Sequence, residues 1–224
     1  MTGNRRNYQK EMEKIIEGLQ GNRKSLLLHS CCAPCSSAVL EKLQKIFEIT
    51  VFYYNPNISE DLEYRKRVEE QKRLIEWFNR KEPDFPIKII DGDYEPQEFY
   101  KIAKGLENCP EGGERCFKCY ALRLEKTAQL AKKERFDFFT TTLTISPLKN
   151  AEKLNGIGEE MAFRYEITFL PSDFKKKEGY KRSIELSKEF DLYRQNFCGC
   201  AFSKAENLKR EKLSLAAKEQ ERGV

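Results

Sequence analysis

The sequence predicts an α/β fold in which a parallel β-sheet carries helices on its faces and a site at the carboxyl ends of its strands. Two observations point there. Short apolar, β-branched or aromatic runs alternate with longer stretches of helical periodicity, the pattern of βαβ units with right-handed crossovers. The densest group of unusual residues, Cys31-Cys32-Ala33-Pro34-Cys35, directly follows the first such run, where open parallel sheets place their sites.

The elements read in order as follows. Tyr8, Met12, Ile15, Ile16 and Leu19 recur at helical spacing, and Gly21 stops that helix. Ser25–Ser30 suits a buried strand, and the cysteine turn after it leads into a helix with Pro34 near its first turn and Val39, Leu43, Ile46 and Phe47 on one face. Ile49–Asn55 is strand two. Ser59 can cap a helix running to about Asn79, with Glu60 and Asp61 at its positive end. Pro86–Ile90 is strand three. A short helix near Pro96–Lys104, a cysteine loop over Cys109–Cys119 and a long helix to Lys133 follow. Phe138–Ile145 is strand four, Asn150–Met161 a helix, Tyr165–Phe169 a weak strand and Tyr180–Phe190 a helix before the loop Cys198-Gly199-Cys200.

At a typical ~100–200 residues per domain, 224 residues make one α/β domain over 1–224, with an N-terminal helix within 1–24 and a polar C-terminal helix or tail at 201–224. Fifteen Phe and ten Tyr exclude a disordered chain. The first 24 residues are too polar for a signal peptide, and no apolar run nears the ~20 residues of a membrane span, so a cytoplasmic protein without membrane contact is expected. The net charge, 41 − 36 = +5, does not by itself mark a nucleic-acid binder. Its distribution matters more. Lys175, Lys176 and Lys177 with Lys181 and Arg182, and Arg115, Lys118 and Arg123 around the second cysteine group, are candidate RNA-phosphate contacts by their proximity to cysteines, whereas Arg65, Lys66, Arg67, Lys72 and Arg73 along one helix read as a solvated face.

Eight cysteines in a reducing compartment point to metal or redox chemistry before structural disulfides. They form three groups, Cys31/Cys32/Cys35, Cys109/Cys116/Cys119 and Cys198/Cys200, all in turn-rich segments, whereas inert cysteines scatter through apolar faces. Cys116-x-x-Cys119 ahead of a helix is a ligand pair whose thiol pKa values the helix N-terminus should lower. Thiolates select zinc or iron–sulfur clusters. Adjacent Cys31 and Cys32, and more cysteines than one tetrahedral site needs, favour iron–sulfur over a structural zinc. Cys198 and Cys200, one residue apart, read either as a labile dithiol or as further ligands. No glycine-rich phosphate loop of the GxGxxG or GxxxxGK[ST] type is present.

Several segments, in order, resemble the epoxyqueuosine reductases of the QueH type over about residues 25–203. They are His29-Ser30-Cys31-Cys32-Ala33-Pro34-Cys35, Tyr53-Tyr54-Asn55-Pro56-Asn57, Gly112-Gly113, Arg115 through Leu124, Thr140–Leu143, Asp173-Phe174-Lys175-Lys176 and Tyr193 through Cys200. The resemblance implies a nucleotide-hydrolase-like (Rossmann-like) layout and the last step of queuosine synthesis, reduction of epoxyqueuosine at the wobble position of tRNA. It implies a 4Fe–4S cluster on Cys31, Cys32, Cys116 and Cys119, a redox-active disulfide between Cys198 and Cys200, an external electron donor and an iron beside the cluster. Asp173 is a candidate ligand of that iron or a proton donor, and Tyr53, Tyr94 and His29 are further proton-donor candidates, His29 being more readily a core residue. Tyr53, Asn55, Arg123, Lys175 and Lys176 are candidate substrate contacts, Tyr53 and Tyr54 by stacking on a base. Cys35 and Cys109 are left over and read as buried bystanders or as thiols just behind the ligands. The competing readings are a zinc-containing RNA-binding module and a cluster-dependent tRNA thiolase, the latter weakened by the missing phosphate loop.

Overall fold

The computed structural model describes residues 6–222, with side chains through residue 214. Residues 1–5 and 223–224, the ends of the predicted terminal helix and tail, lie outside the described residues. The chain runs α1 (Tyr8–Gly18), β1 (Lys24–His29), α2 (Ala33–Leu43), β2 (Phe47–Tyr53), α3 (Asp61–Lys81), β3 (Lys88–Asp91), α4 (Pro96–Ala103), α5 (Glu114–Lys133), β4 (Phe138–Thr141), a 3-10 turn (Thr142–Ile145), α6 (Ala151–Tyr165), β5 (Thr168–Phe169), α7 (Gly179–Glu189) and α8 (Ala201–Arg222). The expected parallel α/β sheet is present: five strands, all parallel, in the order β3-β2-β1-β4-β5.

Strand alternation sorts the apolar residues onto two faces. On one, Leu26 and Leu28 pack with Met12, Val39, Leu74 and Leu186 from α1, α2, α3 and α7. On the other, Leu27 and Phe139 pack with Leu124, Ala128, Leu154 and Met161 from α5 and α6. Covered faces on both sides explain why the strands read as continuous apolar runs.

The strand order positions the site. From β1 the chain winds outward through β2 and β3, then returns to place β4 on the other side of β1. The connections after β1 and β4 therefore diverge, opening a crevice at their carboxyl ends. His29 pairs in register with Phe52 and Thr141, so Cys31 and Thr142 leave the sheet side by side.

Several boundaries differ from the sequence reading. Strand four stops at Thr141, because its Oγ1 accepts from Leu143 N–H at 3.1 Å and turns Thr142–Ile145 into a 3-10 helix. That hydrogen bond outweighs the β-propensity of the Thr-rich run. Phe47 opens β2 instead of ending a helix face. Glu60 is the residue preceding α3, and Ser59 instead bonds the Gly199 carbonyl through N (3.1 Å) and Oγ (3.3 Å). Cys116 and Cys119 lie inside the first turns of α5, not ahead of it. Among the described residues no helix is long and apolar enough to cross a membrane.

Candidate active site

β1 ends at His29, and the extended backbone of Cys32 (φ −176°, ψ 161°) starts α2, with Cys35 in its first turn. The tight turn gathers the ligand atoms of Cys31, Cys32 and Cys35 within 4.8 Å of one another. Cys35, read from sequence as a bystander, thus belongs to the cluster geometrically. Thr142 fixes the turn: its Oγ1 accepts from Cys31 N–H at 3.2 Å and lies 3.5 Å from Cys31 Sγ. Hydrogen bonds from the Cys32 and Cys35 thiols hold the Cys31 thiol low against burial, with Arg123 assisting. The same bond from the other side pushes Cys32 up to about 12 and raises Cys35.

Opposite stand Cys116 and Cys119. Gly112 N–H donates to Cys116 Sγ at 3.2 Å, and Arg123 Nη1 lies 4.0 Å from Cys119 Sγ. Burial raises both thiols, Cys119 to about 11, against the lowering expected at a helix N-terminus.

The third group is held from β2 and α3. Asn57 Nδ2 and Arg67 Nη1 donate to the Cys198 carbonyl at 3.1 and 3.2 Å. The Sγ atoms of Cys198 and Cys200 lie 3.5 Å apart, and Ser203 N–H donates to Cys200 Sγ at 3.3 Å. The contact with Cys200 and then the nearby Lys149 ammonium lower the Cys198 thiol, while Cys200 is raised.

Two adjoining cavities join the groups. One of about 160 Å³ is walled by Cys31, Cys32, Cys35 and Cys198, and one of about 20 Å³ by Cys116, Cys119, Cys198 and Cys200. Cys198, Glu111, Arg123 and Lys149 line both. All but one of the eight cysteines meet here; Cys109 lines neither cavity. The all-sulfur donor set suits a soft metal or iron–sulfur centre.

The other predicted residues divide. Arg123 is buried at the site, bonded to Asn55 Oδ1. Asn55 is itself buried, its Nδ2 on the Ser30 carbonyl at 2.9 Å, and acts as a strut with no exposed face for substrate. Tyr53 is fully buried against Tyr64 and cannot stack on a base. Tyr94 is tied to the Ile58 carbonyl at 3.0 Å and lines neither cavity. His29 is fully buried, as the core reading expects, and burial and then Arg123 push its pKa down to about 3. Asp173 pairs with Lys175 and, with Lys175 and Lys176, lines a separate outer groove of about 1080 Å³. Lys177 and Arg182 are spent on Glu13 and Glu41, and Arg65 and Arg73 on Asp61 and Glu70. Arg115 is buried on the carbonyls of Leu106, Glu107 and Cys109. Glu111 and Lys149 carried no signal in the sequence; Arg67 entered only as part of the basic run Arg65–Arg73, and Asn57 only inside the Tyr53–Asn57 segment.

Comparison with known proteins agrees with this geometry. Residues 26–206 match the family model described as Epoxyqueuosine reductase QueH. A protein of that name from Staphylococcus epidermidis is 43% identical over 201 residues, covering 88% of this chain and 84% of its own. Its namesake from Streptococcus pyogenes is 41% identical, covering 88% and 78%, and that from Thermotoga maritima 36%, covering 84% and 93%. With the match spanning sheet, crevice and all three cysteine groups, the chain belongs to the epoxyqueuosine reductase QueH family.

Proposed function

We propose that the protein reduces epoxyqueuosine to queuosine at the wobble position of tRNA. The observation that carries this reading is the convergence of three cysteine groups on one pair of cavities, in a chain of this family. Removing an epoxide oxygen to leave an alkene consumes two electrons and two protons and releases water. Cys198 and Cys200 can supply both electrons by closing a disulfide, which an external electron donor then reopens. Their 3.5 Å separation lets the bridge form with little movement.

Cys31, Cys32, Cys116 and Cys119 would hold a 4Fe–4S cluster, and Cys35, grouped with Cys31 and Cys32, would hold an adjacent iron in place of Asp173. Such a centre passes electrons singly, and an iron can polarise an oxygen as a Lewis acid. Arg123 supplies a fixed buried cation beside the thiols, and Glu111 and Lys149 line both cavities with it. Leu143, Ile145 and Phe197 keep part of the wall apolar.

The test is anaerobic reconstitution with iron and sulfide, followed by mass analysis of tRNA carrying epoxyqueuosine after a reductant is added. A nucleoside one oxygen lighter is expected. Protein that binds only zinc, lacks visible absorption and leaves the tRNA unchanged would overturn the reading.

A further inference from the structure

The loop between the 3-10 turn and α6 stands between two spaces. Pro147, Leu148 and Lys149 line both the cysteine cavity and the outer groove. The loop is braced: Leu148 N–H donates to Ser146 Oγ at 3.3 Å, Lys149 N–H to the Ser146 carbonyl at 3.2 Å, and Asn150 caps α6 through its side chain. Leu148 is 70% exposed on it. A leucine held in water on a braced turn, at the mouth of a site, is the form of an apolar wedge for an unstacked base.

Lys149 differs from Arg6 and Lys175 in the outer groove, and unlike Lys176, which also has no carboxylate within salt-bridge distance among the described residues, it reaches the cysteine cavities as well. Arg6 in the same groove is paired with Glu11 and Glu159, and Lys175 with Asp173. Among the described residues Lys149 has no carboxylate within salt-bridge distance, although it lines the groove and both cysteine cavities. A cation without a carboxylate partner, where groove and cavity meet, suits an anion that arrives with the substrate. Single-stranded RNA, which carries a phosphate beside every base, supplies both partners.

Building on the reading of this site as a tRNA reductase, we propose that the Pro147–Lys149 loop is the threshold over which the target nucleotide leaves the outer groove, with Lys149 taking a backbone phosphate and Leu148 the face of an unstacked base. The loop recognises an RNA strand without reading its sequence. It sets which nucleotide reaches the cysteines.

Binding of an anticodon stem-loop RNA to the metal-loaded protein tests this, measured across a salt series and apart from turnover. Lys149→Gln should weaken binding and reduce the slope of log affinity against log salt by roughly 0.7, the value of one phosphate contact to a single strand. Leu148→Ser should weaken binding about tenfold with the slope unchanged, as expected for loss of an apolar contact. Phe163→Ser, at an apolar residue 90% exposed that lines none of these cavities, should leave affinity unaltered. Iron content should match the parent in all three. A Lys149→Gln protein with parental affinity and slope would overturn the proposal, as would a loss of affinity that follows a loss of iron. If the parent itself fails to bind RNA, the tRNA-reductase reading falls first and the threshold with it. A parent that binds and turns over beside variants with parental binding removes the threshold alone.

Discussion

The Nε of Arg123 lies 3.3 Å from the Nε2 of His29, deep beneath the cysteines. A protonated imidazole there would set two cations face to face away from water. The ring, with Nδ1 2.8 Å from Thr141 Oγ1 and Nε2 3.1 Å from the Tyr54 carbonyl, is therefore neutral at ordinary pH. It braces β1 against β2 and β4 and donates no proton to substrate.

A pH dependence follows. Unfolded histidine titrates near ~6.5, whereas burial and Arg123 push folded His29 down to about 3. Between those values the unfolded chain binds the extra proton. Stability of the metal-free protein should therefore fall as pH drops below about 6.5, by up to about 1.4 kcal/mol per unit from this group. His29→Gln should be less stable at pH 7 yet lose less on acidification. Urea midpoints at two pH values check this, and identical pH slopes for parent and variant would contradict it.

Cys35 and Cys109 looked alike in the sequence, and the structure separates them. Cys35 shares the 4.8 Å cluster with Cys31 and Cys32. Cys109 lines neither cysteine cavity, and its Sγ would sit 2.6 Å from a Cβ added at Gly113. Cys35→Ala should lower bound iron after anaerobic reconstitution, as should Cys31→Ala, Cys32→Ala, Cys116→Ala or Cys119→Ala. Cys109→Ala should keep it. Iron per protein decides, and the assignment fails if the last two groups behave alike.

These contrasts show what a sequence can carry. The parallel sheet was legible because runs such as Leu26-Leu27-Leu28 are apolar on both faces, and the crevice because cysteines fill the turn after β1. The direction of a side chain at a strand's end was not: Tyr53 closes β2 and Asn55 follows it, and both are buried. Basic residues on helices were equally opaque. Arg115 and Arg123 occupy a helix that also carries exposed Lys118, and only packing shows which cations are buried on carbonyls. Lys149 had no motif, since its meaning lies in which cavities converge on it.

Gly199 has φ +110°, and a Cβ there would lie 2.7 Å from Ile58 Cγ1 and 3.2 Å from Arg67 Nη1. Glycine is needed for both reasons. Gly199→Ala should cost about 1–3 kcal/mol from the backbone alone and displace Cys198 from the Asn57 and Arg67 donors. The expected result is a lower unfolding midpoint, slower turnover and slower closure of the Cys198–Cys200 bridge, with iron content retained. Parental bridge formation in a destabilised variant would show that the turn does not set the dithiol geometry.

Thiol chemistry at Cys198 and Cys200 distinguishes a dithiol from a ligand pair. Either role makes Cys198→Ser/Cys200→Ser inactive, so activity cannot decide between them. Cys198 stands in the walls of both cavities, while Cys200 faces only the smaller one. A thiol that shuttles electrons needs such access to substrate, with its partner set behind it. The contact with Cys200, aided by Lys149, holds the Cys198 thiol below its ordinary range, so Cys198 is expected to be the more reactive thiol of the two. Limiting alkylation of the reduced, metal-free protein should label Cys198 before Cys200. Air oxidation should give the parent a species two hydrogens lighter by intact mass, and the double variant should lack it while reconstituting a normal cluster spectrum. If the variant instead loses iron and the parent never shows the lighter species, the pair binds metal and the electrons must come from elsewhere.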